Sequence, residues 1–183
     1  KHFAQFSDEK RLQTIIALYD YALTHFIIRQ VQIIELASPI WKSNISTLEK
    51  IKDSDYYQKH QGLLSELVSM IDEYKELILD HNEVVRKKLM ASGLNKKDRS
   101  RLWPVFNFLA GNHISAMKPL MHPIQARVES EMKITAFLYE NKDGYIATKE
   151  NGLQFHSPVL LQAYNHELRM IQMQERSSRL ISN

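Results

Sequence analysis

Residues 63–78 read Leu63-Leu64-Ser65-Glu66-Leu67-Val68-Ser69-Met70-Ile71-Asp72-Glu73-Tyr74-Lys75-Glu76-Leu77-Ile78. Leu64, Leu67, Ile71, Tyr74 and Ile78 recur in steps of three and four, which places them on one side of an α-helix and most of the carboxylates on the other sides. The same steps continue through His81, Val85 and Lys88, flanked by Met70, Leu77, Val84 and Leu89. The polar stretch Lys52-Asp53-Ser54-Asp55 precedes this rod, and Ser92-Gly93 supplies its stop. A helix with one apolar stripe must bury that stripe against other helices, so the pattern predicts a bundle.

Upstream, Leu12, Ile16, Tyr19, Leu23, Phe26, Gln30, Ile33 and Ala37 form the same kind of seam, widened by Ile15, Ala22, Ile27 and Ile34. Ser7-Asp8-Glu9 reads as its start, and Pro39 should end or kink it near Ala37 or Ser38. Gln30, the one polar member, reads as a layer that fixes helix register. Residues 39–53 continue in a helical pattern. Downstream, Pro104, Gly111, Pro119 and Pro123 divide residues 95–121 into two short helices, and Pro123 opens a third rod carrying Ile124, Val128, Phe137 and Leu138.

Tyr145-Ile146-Ala147-Thr148-Lys149 and Leu153-Gln154-Phe155 flank Asn151-Gly152, a strong hairpin cue, since both central positions of a type I′ turn need positive φ. Ser157-Pro158 then begins a last helix through Val159, Leu160, Tyr164, Leu168 and Ile171. The predicted fold is all-α: an up-and-down bundle of about four long helices, with kinked short helices and one small β-hairpin inserted at about 145–156, in a single domain over residues 1–183.

Composition agrees. The chain has 183 residues, 44% apolar and 25% charged, with five Gly and five Pro, and a chain of this size buries roughly 70% of its extended surface without needing a disulfide or metal. Cysteine is absent, which removes thiol nucleophiles and thiolate metal sites but leaves the compartment open. No run of eighteen apolar residues spans a bilayer.

The net charge of +3 is concentrated locally. Arg86 to Arg101 holds Arg86, Lys87, Lys88, Lys96, Lys97, Arg99 and Arg101 against Asp98 alone, while Glu66 to Glu83 holds six acids against Lys75. Part of the positive charge complements the C-terminal end of the second rod. The rest suits phospholipid headgroups better than nucleic acid, because Trp103 is almost the only interleaved aromatic and no recognition helix is evident.

No glycine-rich phosphate loop, Gly-x-Ser-x-Gly elbow, His-Glu-x-x-His motif or paired Glu-x-x-His motif occurs, so the sequence reads as non-enzymatic, with no catalytic, cofactor-binding or metal-ligating residue assigned. His81 lies between Asp80 and Glu83, where a carboxylate neighbour would hold its pKa near or above neutrality; the commoner arrangement is a partly buried ring hydrogen-bonded to a neighbour. Tyr19, Tyr21, Phe26, Tyr74 and the methionines are ordinary core at helical spacing, with cavity lining as the alternative.

The candidate binding residues are Lys96, Lys97, Arg99, Arg101 and Trp103 at the basic turn, and Asn151, Gly152 and Phe155 in the hairpin, which together with the proline-rich bend forms a second contact site. They point to a module that acts through its surfaces on a membrane or a protein partner. The alternative is a ligand-binding or sensor bundle with an apolar cavity between helices. A third reading makes Glu73, Glu76 and Asp80 the bases of an enzyme, although a solvated helix face is the usual origin of such charge.

Leu102-Trp103-Pro104-Val105-Phe106, Ala116-Met117-Lys118-Pro119-Leu120-Met121-His122-Pro123, and Asn151-Gly152-Leu153-Gln154-Phe155 followed by Tyr164-Asn165 together resemble an enterobacterial periplasmic lipoprotein family, a domain of unknown function. Asp8-Glu9-Lys10 is similar to that family's opening. The resemblance implies a signal peptide and a lipid-modified cysteine upstream of Lys1, a periplasmic location with a lipid anchor to the membrane, and no catalytic residues to carry over.

Overall fold

The chain was described by a computed structural model covering residues 2–41, 45–148 and 152–181, with side chains for 8–38, 40, 47–108, 111–112, 114–148 and 152–173. Helices α1 (His2–Ala22), α2 (Arg29–Trp41), α3 (Ile45–Lys50), α4 (Ser54–Ala91) and α5 (Lys96–Glu140) lead to strands β1 (Tyr145–Thr148) and β2 (Gly152–Phe155) and to α6 (Pro158–Ile181). The protein is an all-α helical bundle with one small antiparallel hairpin. No described helix is long and apolar enough to cross a membrane.

Short polar side chains set several helix ends. The Tyr56 N–H donates to Asp53 Oδ1 at 2.8 Å at the start of α4. At its end Ser92 Oγ donates to the Leu89 carbonyl at 2.7 Å, and Gly93 takes a φ of +69° that glycine adopts without a Cβ clash. The Asp98 N–H donates to Asn95 Oδ1 at 2.9 Å, opening α5. Ser157 Oγ accepts from the Val159 N–H at 3.2 Å, with Pro158 at the first helical position as expected.

The prolines behave differently from expectation. Helix α2 passes Pro39 and ends at Trp41, and α5 is one helix of 45 residues that contains Pro104, Pro119 and Pro123. The two short helices, the separate third rod and the proline-rich bend predicted from these residues are therefore corrected to a single element. Each proline removes one N–H and frees the carbonyl four residues earlier. Pro104, Pro119 and Pro123 are all exposed, so water can reach that backbone, while Phe106, Met117, Met121, Ile124 and Val128 bury the opposite side and hold the helix together. Ser7 is likewise not a cap, because α1 already runs from His2.

The largest correction concerns the seam of α1. A π-helical turn, Leu23–Ile28, joins α1 to α2. A π turn inserts one residue into the α-helical count. The seam predicted through Phe26, Ile33 and Ala37 is correct beyond that insertion, where all three are buried, but before it the pattern lies one residue out of register. The buried residues are Thr14, Leu18 and Ala22, with Tyr21 beside them; Leu12, Ile16, Tyr19 and Leu23 face solvent.

The contacts gather into two compact units: Lys1–Gln32 with Asp72–Lys118, and Ile33–Ile71 with Pro119–Asn183. In the first, Phe26 is edge-on to Tyr74 at 6.0 Å and to His81 at 5.1 Å, and Tyr21 meets Phe106 at 6.3 Å. Arg11 of α1 pairs with Asp98 of α5, so α1 and the start of α5 run side by side in the same direction while α4 runs against both. In the second unit, Ile51, Leu138 and Tyr145 are fully buried, with Phe137, Phe155 and Tyr164 packed on them. Tyr57 stacks on Tyr139 at 4.0 Å, and Gln61 donates to Thr135 Oγ1 at 2.7 Å.

Candidate interaction site at the α4–α5 turn

The basic segment straddles the turn between α4 and α5, and its charges fare differently. Asp98, its only acid, is buried and accepts from Arg11 and from Asn95 Nδ2. The Arg11 guanidinium holds the Asp98 carboxyl below the usual carboxylate range, and Asp98 raises Arg11 in return. Lys87 is engaged by Glu83 at 2.7 Å, and Lys88 lies 5.2 Å from the Tyr21 ring centroid in a cation–π contact. Arg86, Lys96, Lys97, Arg99 and Arg101 form no salt bridge among the described residues. The turn thus hides its negative charge and presents positive charge.

An open cleft of about 560 Å³ lies here, lined by Arg86, Leu89, Met90, Lys96, Arg99, Ser100 and Trp103. Leu89 forms its buried floor, and Arg99 Nη1 reaches Met90 Sδ at 2.9 Å across the turn. Cations therefore surround an apolar floor with one indole wall, which suits a molecule with an anionic head and an apolar body. At 100° per residue, Lys96, Arg99 and Trp103 share one side of α5, whereas Lys97 and Arg101 belong to another. The structure brings three of the five predicted turn residues to the cleft and assigns two to a separate face. Arg86, Leu89 and Met90 also line it; the end of an apolar stripe converging on a basic turn was the sequence signal for them.

The hairpin residues do not join this site. The register pairs Tyr145 with Phe155 and Thr148 with Gly152, so Gly152 is a strand residue, and the turn expected at Asn151-Gly152 falls partly on residues 149–151, outside the described residues. Asn151 lies outside the described residues. Gly152 has a φ of +70°, which accounts for glycine at that position. Phe155 packs against Tyr145 and Tyr164, at 6.0 and 5.0 Å, as part of the core and not as an exposed contact. The hairpin is also tied down: Lys52 Nζ donates to the Tyr145 carbonyl at 2.8 Å, Tyr145 Oη donates to the Leu48 carbonyl at 3.1 Å, and the Ala147 N–H donates to Glu49 at 3.2 Å. Burial, with the Glu49 charge adding, pushes the Tyr145 phenol up to about 12.

Two further acids of the α4 run are engaged in ion pairs. Glu73 pairs with Arg29 at 3.0 Å, and Asp72 with Lys75 at 3.2 Å. Among the described residues no cluster of three or more His, Cys, Asp or Glu could hold a metal ion. His81 departs from both sequence expectations: it is buried between Phe26 and Phe106, neither ring nitrogen has a hydrogen-bond partner, and burial lowers its pKa below the ordinary value. Its acidic neighbours in sequence do not offset that desolvation. Gln30 is half-buried.

Set against protein-family models, curated proteins and solved structures, the chain matches none.

Proposed function

We propose that this protein is a non-enzymatic helical docking module whose α4–α5 turn engages the anionic surface of a phospholipid bilayer. The observation that carries the reading is the sorting of charge at the turn: Asp98 is turned inward onto Arg11, while Arg86, Lys96, Lys97, Arg99 and Arg101 have no salt-bridge partner among the described residues. Near an anionic membrane each such cation contributes about 1 kcal/mol. The cleft adds a place for a headgroup among Arg86, Lys96 and Arg99 with the adjoining apolar part of the lipid against Leu89 and Trp103. Envelope location and an upstream lipid anchor, implied by the family resemblance, belong to the same proposal.

The test is sedimentation with vesicles of phosphatidylglycerol and phosphatidylcholine, compared with phosphatidylcholine alone. Wild-type protein should bind the anionic vesicles, with an affinity that falls as salt is added. The combined variant Lys96→Gln, Lys97→Gln, Arg99→Gln, Arg101→Gln should bind on the order of 10³-fold more weakly, from four cations at about 1 kcal/mol each. Absence of wild-type binding, or unchanged binding by the variant, refutes the proposal.

The cleft also favours a second reading, in which the module carries a single amphiphilic ligand against Leu89, Met90 and Trp103. Native mass spectrometry separates the two: a co-purified lipid at one per chain, lost in a Trp103→Ala variant, supports carriage over surface docking.

A further inference from the structure

The first unit carries a second surface that neither the core nor the cleft uses. Leu12, Ile16 and Tyr19 on α1, and Val105 and Phe108 on α5, are each between 55% and 68% exposed. Large apolar side chains scattered singly over a surface need no explanation, but a contiguous group marks an interaction site. Leu12, Ile16 and Tyr19 follow i, i+4, i+7 and form one ridge of α1, and Lys97, Arg101, Val105 and Phe108 follow i, i+4, i+8, i+11 and form one ridge of α5. The ridges are neighbours: Ile15 and Tyr19 meet Leu102 and Val105 around a small pocket of about 30 Å³. Their charges are opposite. Exposed Glu9 and Asp20 lie in line with Ile16 on α1, while α5 carries Lys97 and Arg101, and none of the four forms a salt bridge among the described residues.

We infer that two copies of this chain associate through this face in a parallel, two-fold arrangement that lays α1 of each copy on α5 of the other. The occupant follows from charge complementarity. An interface between two identical copies must be complementary to itself, and this face holds an acidic, apolar ridge beside a basic, apolar one. The Arg11–Asp98 pair sets α1 level with α5 at an offset of 87 residues, and both helices run in the same direction. Glu9 is thus level with residue 96, so that Lys97 of the second copy is only about 1.5 Å along the helix from lying opposite it. By the same offset Val105 of the second copy comes level with residue 18, between Ile16 and Tyr19, and Phe108 with residue 21. Arg101 comes level with residue 14, where its aliphatic stem covers apolar surface while its guanidinium reaches the rim. Laying α1 on α1 instead leaves Glu9 and Asp20 without a cation opposite, and an anionic bilayer repels both acids. The inference does not rest on the docking function: Lys96, Arg99 and Trp103 line the cleft from another side of α5 and stay outside this interface.

Analytical ultracentrifugation of the whole chain should show a monomer that passes to a dimer as concentration rises. The combined variant Ile16→Gln, Phe108→Gln changes only exposed positions, so its helicity by circular dichroism should match wild type. Its dimer dissociation constant should rise at least about a hundredfold, because symmetry makes each substitution count twice. Charge exchange tests the arrangement. Glu9→Lys sets a like charge against Lys97 of the second copy and should weaken the dimer at least about tenfold, and adding Lys97→Glu should restore it to within about threefold of wild type. A wild type that is monomeric at every concentration overturns the inference, and so does a dimer that the apolar variant leaves intact, because another face then holds it. Failure of the exchanged pair to rescue association also overturns it, since α1 then does not lie on α5 of the second copy. The chain lacks cysteine, so a spin label at Phe108→Cys reports without background. If wild type stays monomeric and that label is protected from a water-soluble relaxation agent only on anionic vesicles, a bilayer covers the face and the inference is overturned.

Discussion

The α4–α5 turn and the β1–β2 hairpin both interrupt the helices, and the sequence marks both as contact sites, yet they spend their polar groups in opposite ways. At the hairpin, Lys52, Glu49 and the Tyr145 hydroxyl are all engaged with backbone atoms, and Phe155 belongs to the aromatic cluster of Tyr145 and Tyr164. At the turn, Arg11 engages the single acid, Glu83 engages Lys87 and the Tyr21 ring engages Lys88, while Arg86, Lys96, Lys97, Arg99 and Arg101 form no salt bridge among the described residues. A polar group already paired inside the protein has little left to offer a partner, and an unpaired cation at an apolar cleft has most of its interaction energy still to gain. The hairpin is a structural clamp, and the turn is the surface that the proposed docking uses.

Substitution at the two places should separate these roles. The largest effect is expected from Tyr145→Ala, which deletes a fully buried aromatic and should cost about 3–5 kcal/mol of stability by denaturant titration. Vesicle binding at concentrations where the variant remains folded should be unchanged. The fourfold glutamine variant of the turn should give the mirror image, with binding lost and stability within about 0.5 kcal/mol of wild type. If Tyr145→Ala weakens binding as strongly as the charge variant does, the division of labour fails.

A finer test uses Gly152. At a φ of +70°, an Ala side chain is strained whatever space surrounds it, so Gly152→Ala should destabilise by about 1–2 kcal/mol, again without effect on vesicle binding. The smallest effect is one of pH and belongs to the helices that carry the turn. His81 is buried neutral with its pKa lowered from the ordinary 6.5. Below that ordinary value the unfolded chain binds a proton that the folded chain does not, so stability is whole above it and declines as pH falls towards the lowered value. His81→Phe should flatten the dependence of Tm on pH in that window. An unchanged slope would mean that His81 is not the group being titrated.

Much of this was legible along the chain. The α4 stripe named Leu64, Leu67, Ile71, Tyr74, Ile78, His81, Val85 and Lys88, of which Ile78 is half-buried, Lys88 is exposed and the other six are buried; the hairpin and the Ser157-Pro158 helix start were also correctly marked. What failed were inferences that depend on more than local pattern. Pro104, Pro119 and Pro123 looked like breaks because proline removes a hydrogen bond, but whether a helix continues depends on which side is buried, and here the prolines are on the wet side. His81 looked like a group held charged by acidic neighbours, but packing between Phe26 and Phe106 outweighs them.

The sequence by itself determined the helical class, the position of the turn and the concentration of positive charge around it, because periodicity and charge are written in residue order. Tertiary structure alone decided which apolar residues of α1 became core. The π turn at Leu23–Ile28 shifts the register by one residue, burying Leu18 and Ala22 and turning Leu12, Ile16 and Tyr19 outward. It also decided that Asp98 would be consumed by Arg11 from another helix. Both outcomes depend on where a second helix lies, and a one-dimensional pattern does not carry that information.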